Sequence, residues 1–249
     1  MSIGAFLSIM FMSDLNLHPA LAIVLALVAG AIIGIILSRF PFGPLIGQGL
    51  LSIFLVTMGL MVLMRAVIIM VWGGHEIRYF PPFLPQATLS FEGVALYPRE
   101  LFGFGVAVFL LLLFLAFLRY TRWGLVMRAA SDDTQVARSL GINLKVIIAI
   151  ALAIGTAVAA VGGVILGINN GVSTSLGDIG LAGLAAVLVG GMESILGGVV
   201  GGFIIGITVA LTGYYVGHGF GSVAAYIVML AVLLVRPYGL LGQKRIERV

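Results

Sequence analysis

Six stretches of the chain, 19–38, 50–71, 101–118, 147–167, 195–213 and 222–235, are apolar at a length that suits a bilayer crossing, and a single charged residue, Arg65, interrupts them. Peptide groups in hydrocarbon find no water, so such segments must satisfy their own hydrogen bonds. The expected fold is therefore all-α, a polytopic transmembrane helical bundle. A further apolar segment, 181–191, is short, and residues 1–12 are too few for a complete crossing. Together they give about seven to eight membrane segments, one of them a short or broken helix, in a single transmembrane domain over 1–249. Composition agrees: charged residues are 9% of the chain, against about 25% in a soluble domain. The 35 glycines lie largely within apolar runs, where they suit close helix packing rather than disorder.

Charge sets the expected orientation. A polar island between Arg119 and Lys145 carries Arg119, Arg122, Arg128, Arg138 and Lys145, and the tail carries Arg236, Lys244, Arg245 and Arg248. Basic residues at helix ends mark the cytoplasmic side, so they are no sign of a nucleic-acid partner. The loop 119–146 and the C-terminus are expected in the cytoplasm and the loop 72–100 outside, in a multi-pass protein of the cell membrane. Ten Lys and Arg then fall inside and two, Arg78 and Arg99, outside. An even number of crossings between island and tail requires 181–191 to act as a short or broken helix, which places 168–195 near a pathway. In the external loop, four prolines and the alternating FEGVALY suggest a small hairpin or lid, with a plain connector as the alternative.

Within the island, Asp132 is expected to cap a nine-residue helix, with Gln135 completing a capping box and Gly141 ending it in the left-handed region. Val136 and Leu140 fall on one face. So short a helix needs something to dock on.

Elsewhere, Gly198, Gly202 and Gly206 form one stripe on a helix, with Gly197 and Gly201 beside it, and Ala182, Ala186 and Gly190 repeat the spacing on the preceding segment. Tight helix packing is the expected role. Asn169, Asn170, Ser173, Thr174 and Asp178 make a polar cluster at the external end of 147–167, suited to a polar solute or to a solvated loop. Glu193 is expected at a cytoplasmic turn, as a charge near a helix N-terminus or a contact for a partner.

Several chemistries are excluded. The chain has no cysteine, hence no disulfide, thiolate metal site or cysteine nucleophile. His18, His75 and His218 are far apart, so no metal site is expected. No P-loop is present, so the chain binds no ATP through one of its own. No pair of intramembrane acids suggests a proton relay.

Three blocks carry a family resemblance: VTMGLMVLMRAVIIMVWG at 56–73, WGLVMRAASDDTQVARSLGINLKVI at 123–147, and GGMESILGGVVGGFIIG at 190–206 with the tail LLVRPYGLLG at 233–242. In combination they resemble the LivH-type membrane permeases of ABC importers for branched-chain amino acids and related small solutes. The resemblance implies that QVARSLG at 135–141 is a degenerate form of the loop that docks on an ATPase subunit, with Asp132, Asp133, Gln135, Val136, Ala137, Arg138, Leu140 and Gly141 as coupling residues. It implies a LivM-like permease partner, two ABC ATPase subunits that hold ATP and Mg, a soluble solute-binding protein, and no cofactor on this chain. Thr57 and Gly59 of the first block join Asn169, Asn170 and Ser173 as candidate pathway residues. Members of the family usually begin with another transmembrane helix, and MSIGAFLSIMF is similar to the middle of their second one, so a first helix is expected to be missing. The runner-up function is a self-contained channel or secondary carrier, and a membrane enzyme comes third. Leucine-type amino acids, other amino acids, urea and short amides all remain open as solutes.

Overall fold

The computed structural model describes residues 1–73, 77–81, 89–91, 94–132, 134–217 and 220–242. These form ten α-helices and one hairpin. Five helices have the length and apolarity of a full crossing: α2 (Pro19–Arg39), α3 (Leu50–Trp72), α4 (Pro98–Tyr120), α7 (Leu144–Asn170) and α9 (Ile195–Tyr215). Three shorter apolar helices accompany them: α1 (Ser2–Ser13), α8 (Leu176–Gly190) and α10 (Gly221–Val235). Two more, α5 (Arg122–Asp132) and α6 (Thr134–Ser139), occupy the polar island. The expected segment 181–191 is thus the later part of α8, whose 15 residues reach about 22 Å against roughly 30 Å of hydrocarbon. α10 is as short as α8, so shortness is not confined to the one expected helix.

The chain divides into two compact units, Met1–Leu176 and Gly177–Val249. In the first, α2 and α7 make the most extensive helix pair, with α1 packed on both. The buried residues of α2 are Ala22, Ala26, Gly30, Gly34 and Ser38, a stripe of small residues at every fourth position. Across it, α7 offers Ala153, Thr156, Ala157 and Ala160. The Thr156 hydroxyl shares its proton between the Leu152 carbonyl of its own helix at 2.6 Å and the Gly30 carbonyl at 2.8 Å, an approach the helices can make only because glycine lets the backbones meet. A second apolar core gathers Ala5, Phe6 and Ile9 of α1 with Ile68, Val172 and Leu176, and Phe6 stacks on Trp72 with ring centroids 5.5 Å apart.

The external loop contains the expected hairpin: β1 (Leu89–Phe91) pairs antiparallel with β2 (Val94–Leu96), with Leu89 in register with Leu96. Just before it, Arg78 and Val172 exchange backbone hydrogen bonds of 2.9 and 2.7 Å, which tie the loop to the end of α7.

In the second unit, α8 and α9 meet through glycine backbone, but not along the expected stripe. A Cβ on Gly201 would lie 2.7 Å from the Gly190 amide nitrogen, and one on Gly197 would come closer still to the Gly190 carbonyl. A Cβ on Gly198, Gly202 or Gly206 would meet nothing within 4 Å. The close approach runs along Gly197 and Gly201, one helical step round from the glycines expected to carry it. The tail closes the unit. Leu240 and Leu241 donate to the carbonyls of Val189 and Gly190, both at 2.9 Å, and Gly239 turns at φ +80, where a Cβ would lie 2.6 Å from Gly191 Cα. GGMES and RPYGLLG thus pack glycine to glycine, Gly239 on Gly191 and Gly191 on Gly242.

Mutagenesis can separate the two stripes. Gly201→Leu should abolish a monodisperse elution peak in mild detergent, because backbone cannot rotate out of its way, while Gly202→Leu should elute as wild type. Equal behaviour of the two variants would mean that the α8–α9 contact lies elsewhere.

Candidate functional site

The island carries the described helices α5 and α6. Thr121 breaks α4 and caps α5: its hydroxyl donates to the Phe117 carbonyl at 2.7 Å and accepts from the Gly124 amide at 3.0 Å. Gly124 is needed because a Cβ there would lie 2.6 Å from Leu118 Cα. Asp132 is itself helical, the last described residue of α5, so it does not stand outside a helix as the cap of a nine-residue one, and α6 is described from Thr134 to Ser139. The reason is the apolar face of α5: Val126, Met127 and Ala130 join a small core with Ala137, Ile142, Leu144 and Ile147, and that packing carries the helix on. Asp133 and the side chains of Asp132 and Gln135, the expected capping box, lie outside the described residues.

The C-terminal end of α6 is as expected. Ile142 donates to the Ala137 carbonyl and Gly141 to that of Arg138, both at 3.0 Å, with Gly141 at φ +81. This is the paired-bond stop that a left-handed glycine permits, completed by the contact of Ile142 with Ala137. Asn143 then caps α7 by accepting from the Lys145 amide at 3.1 Å. The C-terminal end of α6 is thus fixed by the Gly141 stop and joined directly to the cap of α7.

Its faces differ from expectation in one respect. Val136 is 53% exposed and Leu140 74%, but Ala137 is 2% exposed, packed inside the island's own core with Ala130 and Ile147. Ala137 therefore cannot join a docking surface. Arg138 is exposed and lines a cavity of about 490 Å³ together with Ser131.

The pathway candidates are not gathered in one place. Asn169, Asn170 and Ser173 share the α7–α8 junction beside the Arg78–Val172 bridge. There Asn169 Oδ1 is buried and lacks a hydrogen-bond partner, and the Ser173 and Ser175 hydroxyls share a bond of 2.7 Å. Asn170 is exposed. Thr57 and Gly59 lie on α3, about 14 to 16 Å along the axis from Ile68, which with Trp72 joins α3 to the core containing Val172. The Thr57 hydroxyl is bonded to the Phe54 carbonyl at 2.7 Å, and Gly59 faces open space. Glu193 is exposed, one residue before Ser194, whose hydroxyl caps α9 by accepting from the Gly197 amide at 3.0 Å. Among the described residues no group of three or more His, Asp or Glu could hold a metal.

Two features escaped sequence reasoning. The Arg78–Val172 bridge joins residues almost a hundred positions apart and has no local signal. The second is the pair of cavities flanking α7, of which one, about 460 Å³ between α4 and α7, is lined by apolar residues alone.

These helices define a polytopic helical membrane protein with a short helix in its basic island. The chain belongs to the family of branched-chain amino acid transport system permease components, which it matches over residues 1–235. It is 29% identical over 256 residues to the high-affinity branched-chain amino acid transport system permease protein BraD of Pseudomonas aeruginosa, covering 98% of this chain and 83% of that one. To the corresponding LivH protein of Escherichia coli it is 36% identical over 147 residues, 58% of this chain and about half, 48%, of the relative's length. The probable branched-chain amino acid transport permease protein LivH of Methanocaldococcus jannaschii is 27% identical over 99% of this chain and 82% of its own. No solved structure matches.

Proposed function

We propose that this chain is the permease subunit of an ABC importer that moves branched-chain amino acids, or a related small polar solute, inward at the expense of ATP hydrolysed by partner subunits. The partners are a LivM-like permease, two ATPase subunits carrying ATP and Mg, and a soluble solute-binding protein. The observation that carries the reading is α6, a six-residue helix fixed at its C-terminal end by the Gly141 stop and joined directly to capped α7, with apolar Val136 and Leu140 turned outward. Apolar side chains exposed on a polar island suit contact with another protein, and a helix tied to α7 passes a push on to a membrane helix. Absence of a P-loop from the sequence requires that nucleotide be bound elsewhere. The relatives named for branched-chain amino acids support the solute class. The basic island and tail support a cytoplasmic placement for both.

Uptake of labelled leucine into vesicles containing the whole complex tests this. Uptake should require enclosed ATP and every partner, and a cysteine introduced as Ser131→Cys should react only with reagent on the ATPase side. Leucine entry with the ATPase subunits omitted would instead make the chain a channel or carrier.

A further inference from the structure

The turn between α2 and α3, FPFGPLIGQG at 40–49, carries no charge although it closes a basic end of the bundle beside Arg39. Hydrogen bonds from Phe42 to the Leu37 carbonyl, Leu45 to Phe42 and Gln48 to Leu45, at 3.0–3.1 Å, fold it into successive turns. Phe40 is left 74% exposed, while Phe42, Leu45 and Ile46 form one wall of the 490 Å³ cavity. The opposite walls are Ile147 and Ile148 of α7 and Met127 of α5, and the polar side chains on it are Ser131 and Arg138. No acidic side chain lines it among the described residues. Met127 also lines the second cavity, the 460 Å³ slot between α4 and α7 bounded by Leu110, Phe114, Ile154, Val158 and Ile165.

An arginine and a hydroxyl at one end, an aliphatic chamber behind them, and an all-apolar slot sharing Met127 with that chamber match an anion with a long hydrocarbon body. A zwitterionic amino acid is the weaker match, because the slot offers its polar groups only apolar side chains, and such a lining holds water poorly. We propose that the two cavities together bind one anionic phospholipid of the surrounding membrane, its phosphate at Arg138 and Ser131 and an acyl chain passing Met127 into the α4–α7 slot. Guanidinium pairs with phosphate through short, charge-assisted bonds. Arg138 belongs to α6, so the lipid would brace the helix whose movement the importer needs. The binding itself rests on the membrane-spanning fold and stands whether or not the transport reading does.

The test uses the purified full-length chain taken in mild detergent from vesicles of phosphatidylglycerol and phosphatidylethanolamine in equal amounts, with bound lipid counted by native mass spectrometry. Wild type should retain phosphatidylglycerol about fivefold over phosphatidylethanolamine, the preference expected when one arginine faces a lipid of net charge −1 in place of a zwitterionic one with the same phosphate. Arg138→Gln should lose that preference, while Arg128→Gln, an exposed arginine outside the cavity, should keep it. Ile148→Trp, or Ala107→Phe in the slot if the first variant does not fold, should reduce retention of both lipids. Added inorganic phosphate should not displace the lipid. No preference in wild type, equal loss in Arg128→Gln and Arg138→Gln, full retention in the filled variants, or displacement by phosphate alone would each overturn the proposal. The last would leave a small-anion site.

Discussion

Gly34→Leu is expected to leave no folded protein to purify. At Gly34 a Cβ would already lie 2.5 Å from the Leu152 carbonyl oxygen and 2.7 Å from Ala153 Cα, with the Thr156 hydroxyl closer still. The first two of these are main chain, so no rotamer change relieves them. α2 and α7 must move apart, which breaks the Thr156–Gly30 hydrogen bond and opens the stripe from Ala22 to Ser38. Lipid tails are as apolar as leucine, so no hydrophobic drive restores the pair once its packing is lost. Overpacking costs about 1–3 kcal/mol where side chains can yield, and here the obstruction is main chain. Gly34→Ala, which adds only the Cβ, should therefore lower the thermal midpoint in detergent by several degrees, at about 2–4 °C per kcal/mol for a chain of this size. Gly105→Leu in α4, where a Cβ meets nothing within 4 Å, is the control and should melt as wild type. A Gly34→Leu protein as stable as the control would mean that α2 and α7 do not meet through this stripe.

That stripe was legible in the sequence. AIVLALVAGAIIGIILSR holds Ala22, Ala26, Gly30, Gly34 and Ser38 at a spacing of four, yet LGGVVGGFIIG draws the eye because its glycines are denser. Density does not say which face packs. Gly197 and Gly201 lie about 100° round the helix from Gly198 and Gly202, and only the position of α8 decides between them. Helix extents, by contrast, were readable to within three residues for all six runs, because each apolar stretch ends in charged, polar or turn-forming residues. In the island, Gly141 announced the stop of α6, since few other residues adopt φ +81 without strain. The start did not announce itself, because Asp132 is equally acceptable as the end of one helix or the cap of the next. Nor could an alanine declare its own burial: Ala137 faces inward because Ala130 and Ile147 are there, and neither is its sequence neighbour. The polar cluster around Asn169 was visible as residue types, but the bridge from Arg78 that lies beside it depends on a contact across the chain.

The burial of Ala137 separates two variants that the sequence alone would treat alike. Ala137→Asp places a carboxylate among Ala130, Ile142 and Ile147, where no partner is at hand among the described residues. An unpaired buried charge is expensive enough to dismantle the local packing, so this variant should lose the fold of the island and, with it, much of the protein recovered from the membrane. Leu140→Asp is different. At 74% exposure the side chain costs the isolated chain little, and insertion, yield and melting should be those of wild type. If α6 docks on an ATPase subunit, the leucine is buried there. Losing it removes roughly 1.5–3 kcal/mol of apolar burial, a factor of about ten to a hundred in the contact, before the carboxylate's own desolvation is counted. In vesicles holding the full complex, solute-stimulated ATP hydrolysis and leucine uptake should therefore fall together, by at least about tenfold at limiting ATPase subunit. Val136→Asp should behave in the same way from the neighbouring turn, because it is exposed on the same side of the helix. Saturating the ATPase subunit should restore part of the activity in either variant, as a weakened contact would and a broken pathway would not. Wild-type coupling in both variants would show that the exposed face of α6 meets water or lipid, and that the force of ATP hydrolysis enters this chain by another route.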